Sequence, residues 1–132
     1  MSHFLRPLLQ RDETEHTIVS GRSGVAVATT LETAFDSATR RRGLLGRQGL
    51  EEGHALVIAP CNAIHTFRMR FPIDVLFVAR DGRITKIVKR LAASRIAVSF
   101  AAFATIELRA GALDGIDLTV GDRLAVGERS AA

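Results

Sequence analysis

Cys61 is the only thiol in the chain, and His65 follows it by four positions. In an extended strand that interval puts both side chains on one face. It also leaves them roughly 13 Å apart, since each residue advances about 3.3 Å. A thiolate–imidazole nucleophile therefore needs a turn between them, which Pro60–Asn62 could supply. The plainer reading makes Cys61 a small core residue within its apolar run. His54, Cys61 and His65 are ligand types that zinc accepts. Their spacing fits no compact zinc motif, and one cysteine cannot close a structural site. No metal and no cofactor is assigned.

Two carboxylates stand out by their company. Asp74 interrupts the apolar run "IDVLFV", and Glu107 interrupts "TIELR". An acid inside a sheet needs a partner or a wet pocket. A structural ion pair with Arg40, Arg41, Arg68 or Arg70 is the simpler account, and a ligand-orienting carboxylate is the sharper one. The sequence has no glycine-rich phosphate loop, serine elbow or paired-carboxylate motif.

The elements that must position these residues follow from composition and pattern. A chain of 132 residues, 47% hydrophobic and 24% charged, is one globular domain rather than a disordered or fibrous chain. The apolar residues near the N-terminus are cut by Arg6, Pro7 and Arg11, which is too broken for a signal h-region or a membrane span. The cytoplasm is the default setting. Residues 1–16 read as a flexible arm, 17–128 as a single domain and 129–132 as a tail.

Within the domain, "HTIVSG" and Val25–Thr33 read as strands around a turn at Gly21–Gly24. Asp36 stands as the N-cap of a helix that carries Arg40, Arg41 and Arg42 toward its end, where Gly43 or Gly46 terminates it. "HALVIA" reads as a buried strand. From Phe67 to Phe77 every odd position is apolar, which predicts one strand with Phe67, Met69, Phe71, Ile73, Val75 and Phe77 in the core. Asp81–Gly82 marks a hairpin turn, and "RITKIVK" is the return strand. The stretch "LAASRIAVSFAAFA" suggests a loop with a helical turn. "TIELRAG" and a closing strand after Gly121–Asp122 complete about seven strands and one principal helix. The expected class is α+β, a single compact domain with a mainly antiparallel, barrel-like sheet.

Net charge is +4, and all of it lies in the second half, where residues 67–132 carry eleven Lys/Arg against seven Asp/Glu. Residues 68–95 alone hold eight basic and two acidic residues. That segment could attract phosphate. With no Trp or Tyr to stack bases, a solvated basic face is preferred to a nucleic-acid site.

The order "RRRGLLGR" (40–47), an apolar strand at 54–58, "AIHTFRMRFPIDVLFVARDGRI" (63–84), "IELRAG" (106–111) and "GD" (121–122) resembles the bacterial domain of unknown function 192 family across about residues 25–126. Leu45 stands where that family often has methionine. The resemblance implies a small α+β fold with a barrel-like sheet and implies no activity. Many members look exported, and the N-terminus here departs from that pattern. The family's recurrent polar positions fall on Arg40, His65, Thr66, Asp74 and Glu107, and its recurrent glycines on Gly43, Gly82, Gly111 and Gly121.

The reading that results is a non-catalytic binding or accessory module. Its polar rim pocket, with Arg40, His65, Thr66, Asp74 and Glu107 as ligand-binding candidates, would take a small anion or an acidic peptide. Arg40 is expected to aim its guanidinium at Asp74, Glu107 or that anion. One alternative is a small enzyme with His65 as general base and Asp74 as its orienter. Another is a weak nucleic-acid binder acting through residues 68–95. No membrane partner is expected.

Overall fold

The computed structural model describes residues 3–9 and 16–128. Among them the chain forms β1 (His16–Ser20), β2 (Ala26–Ala28), β3 (Thr30–Ala34), α1 (Ser37–Arg42), β4 (His54–Ile58), β5 (Ala63–His65), β6 (Ile73–Val78), β7 (Ile84–Leu91), β8 (Ile96–Val98), β9 (Ala104–Arg109) and β10 (Leu124–Glu128). The strands make a five-stranded sheet ordered β3-β4-β9-β6-β7, a three-stranded sheet ordered β10-β1-β2, and a two-stranded ribbon of β5 and β8. β3 and β4 run parallel, and the other pairings are antiparallel.

Among the described residues the fold is α+β with one short α-helix, and no sheet closes into a barrel. This corrects the barrel-like expectation. The large sheet ends at β3 on one edge and β7 on the other, and among the described residues a single isolated bridge, Arg83 with Arg123, connects β7's end of it to the strand leading into β10. The reason lies in burial. A small closed barrel has one packed face, whereas all six residues of β6 are buried. A strand buried along its whole length, Asp74 included, belongs to a sheet covered on both sides.

Side-chain parity sorts the two cores. Ala55, Val57, Leu76, Val78, Ile106 and Leu108 point toward the three-stranded sheet, with Ile18, Val27 and Leu124. Leu56, Ile58, Ile73, Val75 and Phe77 point the other way, toward Leu44, Met69 and Ala97. Each large side chain fully withdrawn from water contributes about 1.5–3 kcal/mol, so both faces help to hold the sheet.

Local chemistry sets the joints. Asp36 Oδ1 accepts the Thr39 amide at 2.8 Å, which starts α1. Gly43, at φ 48°, ends it by donating its amide to Thr39 O. At the β6–β7 hairpin Gly82 has φ 90°, and a Cβ there would lie 2.3 Å from Leu124 O. Only glycine fits that approach.

Three further expectations change. The alternation from Phe67 does not continue one strand, because residues 66–72 form turns before β6 begins at Ile73. Arg68 there adopts φ 64°, and Phe67 is 45% exposed. Val25–Thr33 divides into β2 and the start of β3, and "RIAV" is strand β8 rather than a helical turn. Of the arm, residues 3–9 pack onto the body. Leu5 is fully buried, and Phe4 N–H donates to Arg80 O at 2.8 Å. Residues 10–15 and the tail at 129–132 lie outside the described residues. Among those described, no helix is long and apolar enough to cross a membrane.

Candidate functional site

The central strand β9 carries Glu107. Its cross-strand neighbours are Leu56 on β4 and Val75 on β6, so the carboxyl points to the face covered by α1 and the β5–β8 ribbon. Between that face and its cover lies a cavity of about 710 Å³. The last turn of α1 forms one wall with Arg40, Arg41 and Arg42. Pro60–His65 forms the opposite wall, and Leu44, Ile58 and Met69 supply apolar surface. The size and the mix of apolar walls with a few polar groups suit a small organic ligand.

Glu107 is 4% exposed, and among the described residues nothing hydrogen-bonds to it or pairs with it within 4 Å. Burial pushes its pKa up to about 7, opposed by the positive charge of Arg47. The cations that might neutralise it are held elsewhere. Arg47 pairs with Glu32 at 2.6 Å. Arg40 donates to Pro60 O at 3.1 Å, Ser37 Oγ at 3.3 Å and Asp36 O at 3.3 Å. Arg40 thus ties α1 to the opposite wall, and the expected contact with Asp74 or Glu107 is not made. Gly43 sits over the carboxyl, and a Cβ there would lie 3.7 Å from Glu107 Oε1.

His65 ends β5 at the cavity wall, stacked on Phe67 with ring centroids 5.0 Å apart. The Phe67 amide donates to His65 Nδ1 at 3.3 Å. In the neutral ring the proton therefore sits on Nε2, which leaves a donor for the cavity and no free basic nitrogen. Cys61 is half-buried in the same wall, its thiol donating to Ala63 O at 3.3 Å; it packs against the core on this face and also lines the cavity. His54 pairs with Glu51 instead. Among the described residues no three His, Cys, Asp or Glu side chains gather as metal ligands.

Thr66 and Asp74 do not line this cavity. Thr66 is fully buried, its hydroxyl donating to Ala92 O at 2.6 Å and accepting the Arg95 amide at 2.9 Å, which pins the loop between β7 and β8. Asp74 lies opposite Leu108 and so faces the other core, away from Glu107. Its oxygens accept the amides of Arg90 at 2.9 Å, Gly111 at 3.1 Å and Leu113 at 3.0 Å. It is a buried cap for the irregular end of β7 and for the loop after β9, bonded to backbone amides rather than to an arginine side chain. A His65–Asp74 dyad would have to reach through the sheet. Missing from the sequence-based candidates are Arg41, Arg42 and Cys61 as lining residues. The first two are signalled only by their place in the last turn of α1.

The basic segment 68–95 is not one open stripe. Arg90 pairs with Asp114, Lys86 donates to Val98 O at 3.0 Å, and Arg80 lies over the Phe103 ring at 4.3 Å.

Fold and cavity together define a class: a small three-layered α+β domain with a buried, unpartnered carboxyl at the floor of an arginine-walled pocket. The DUF192 family model (Uncharacterized ACR) matches residues 18–126, and the chain belongs to that family. Two solved structures share the fold. One is a provisionally assigned transcription regulator from Sinorhizobium meliloti 1021, 23% identical with TM-score 0.74, covering 96% of each chain. The other is a protein of unknown function from Novosphingobium aromaticivorans DSM 12444, 19% identical with TM-score 0.71, covering 83% of this chain and 82% of its own. No curated protein matches the chain.

Proposed function

We propose that the domain is a non-catalytic binding module whose α1 pocket captures a small organic anion. One observation carries the reading: Arg40, Arg41 and Arg42 wall a single cavity of about 710 Å³. His65 adds an Nε2–H donor, the walls are otherwise largely apolar, and the floor acid is neutral below about pH 7. An anionic group at the arginines with an apolar body inside suits that surface.

The test is calorimetry and thermal denaturation with short alkanoates and phosphate monoesters, on the wild type and on the double variant Arg41→Ala/Arg42→Ala. Both arginines are exposed, so stability should change by less than about 1 kcal/mol, while affinity should fall at least tenfold. No binding by any anion, or equal binding by the variant, would overturn the reading.

A second reading, nucleic-acid binding through residues 68–95, draws on the basic excess there and on the description of the Sinorhizobium relative. Retention on mixed DNA and RNA that weakens steeply with salt would support it, and salt-independent or absent retention would end it. The cytoplasm is the proposed setting, in keeping with a lone cysteine; recovery of the tagged full-length chain outside that compartment would refute this.

A further inference from the structure

We propose that the pocket takes a zwitterion, with the carboxylate on the α1 arginines and an ammonium nitrogen delivered to Glu107. This rests on the anion reading above and adds the second half of the ligand. Glu107 is nine-tenths buried in the central strand between Leu56 and Val75, where an apolar side chain would pack at no electrostatic cost. It faces open cavity with no donor of its own among the described residues, although arginines surround it. Arg40 is engaged on Pro60 O and Ser37 Oγ, Arg41 on Ser37 O, and Arg47 on Glu32, while Arg42, which also lines the cavity, makes no pair with Glu107 within 4 Å. The Gly43 amide above it is spent on Thr39 O. The floor is thus an acceptor reserved for something that enters, and a nitrogen carrying several N–H groups satisfies it best.

A bare cation would have to pass the arginine wall unaided. A zwitterion carries the complement of both regions.

The groups facing Glu107 fix the expected pH response. They are Arg40, Arg41 and Arg42 from α1, Arg47 from the loop after it, and Cys61 and His65 from the opposite wall; β4 and β6 present only apolar side chains. The arginines stay charged throughout. Ionised Glu107 is the binding form for an ammonium group, and it grows from a minor to the major species between pH 6 and pH 8, so zwitterion affinity should rise about tenfold. A plain anion should show the opposite sign, since raising pH adds negative charge to the floor.

The experiment is isothermal titration of the full chain at pH 6 and pH 8. The probes are unbranched ω-aminoalkanoates of four to eight carbons, with the alkanoates of equal length. Glu107→Gln is the companion variant, and the wild-type pH response keeps the test decisive even if that variant folds poorly. At least one aminoalkanoate should bind about tenfold tighter at pH 8, release a proton on binding at pH 6, and lose at least tenfold in Glu107→Gln. Alkanoates that bind as well as aminoalkanoates, with no pH reversal, would overturn the zwitterion and leave the anion reading standing. Binding by neither series would overturn the zwitterion, and the absence of phosphate-monoester binding as well would overturn the anion reading with it.

Discussion

Replacing Glu107 by Gln removes an ionisable group while keeping its shape, and the size of the effect follows from the pocket. Burial moves the carboxyl from 4.5 to about 7 in the folded protein. The folded state therefore holds a proton that the unfolded state gives up between those values. Its contribution is full below pH 4.5 and is lost as pH rises through 7. With about 1.4 kcal/mol per unit, the wild type should lose about 3 kcal/mol from this one group between pH 4.5 and pH 8. Glu107→Gln should not show that loss. Urea unfolding of both proteins at half-unit intervals isolates the effect, because every other titratable group is common to both. The stability difference, variant minus wild type, should climb by about 3 kcal/mol across the range, or roughly 10 °C in Tm. A flat difference would refute the reasoning, since it would mean that Glu107 ionises as it does in water and that the pocket floor is fully hydrated.

The other expectations test the frame around the pocket. Asp74→Ala strands three buried amides and should cost about 3 kcal/mol or more in urea unfolding, with ligand affinity per folded molecule unchanged; a cost below about 1 kcal/mol would show that water replaces the carboxylate. Gly82→Ala places a methyl 2.3 Å from Leu124 O at φ 90° and should destabilise by more than about 2 kcal/mol, read as a lower Tm. Arg40→Ala breaks the link from α1 to Pro60 and should speed hydrogen exchange of the Arg40 and Gly43 amides before any change in the sheet; unchanged exchange would leave Arg40 no clamping role.

What the sequence disclosed was governed by distance along the chain. Asp36 and Gly43 bound α1 because a cap and a left-handed stop act within one turn. Asp81–Gly82 and the β6–β7 hairpin are legible for the same reason. The alternation beginning at Phe67 misled, because apolar residues also fill turns. Arg68 at positive φ breaks the strand that the pattern implied, and Phe67 leaves the core to stack on His65. Sheet closure depends on which distant strands pair. Nothing local to Thr30–Ala34 announces that it lies parallel to β4 and forms an edge. The consecutive apolar residues Val75–Val78 of β6 were the available clue that both faces are covered.

The same limit separates the two acids. Asp74 and Glu107 each interrupt an apolar strand, and alternation within either strand cannot say which core it faces. The β6–β9 register decides, because it sets Asp74 opposite Leu108 and Glu107 opposite Val75. One residue of offset sends the two carboxyls to opposite sides of the sheet. On one side, three backbone amides converge on Asp74, and the charge serves the end of β7 and the loop after β9. On the other, Glu107 meets a cavity whose arginines make no pair with it, and its acceptor oxygens remain for a ligand. A shift of that register by one residue would turn both carboxyls to the same face, so the candidate site is a property of strand pairing as much as of residue identity.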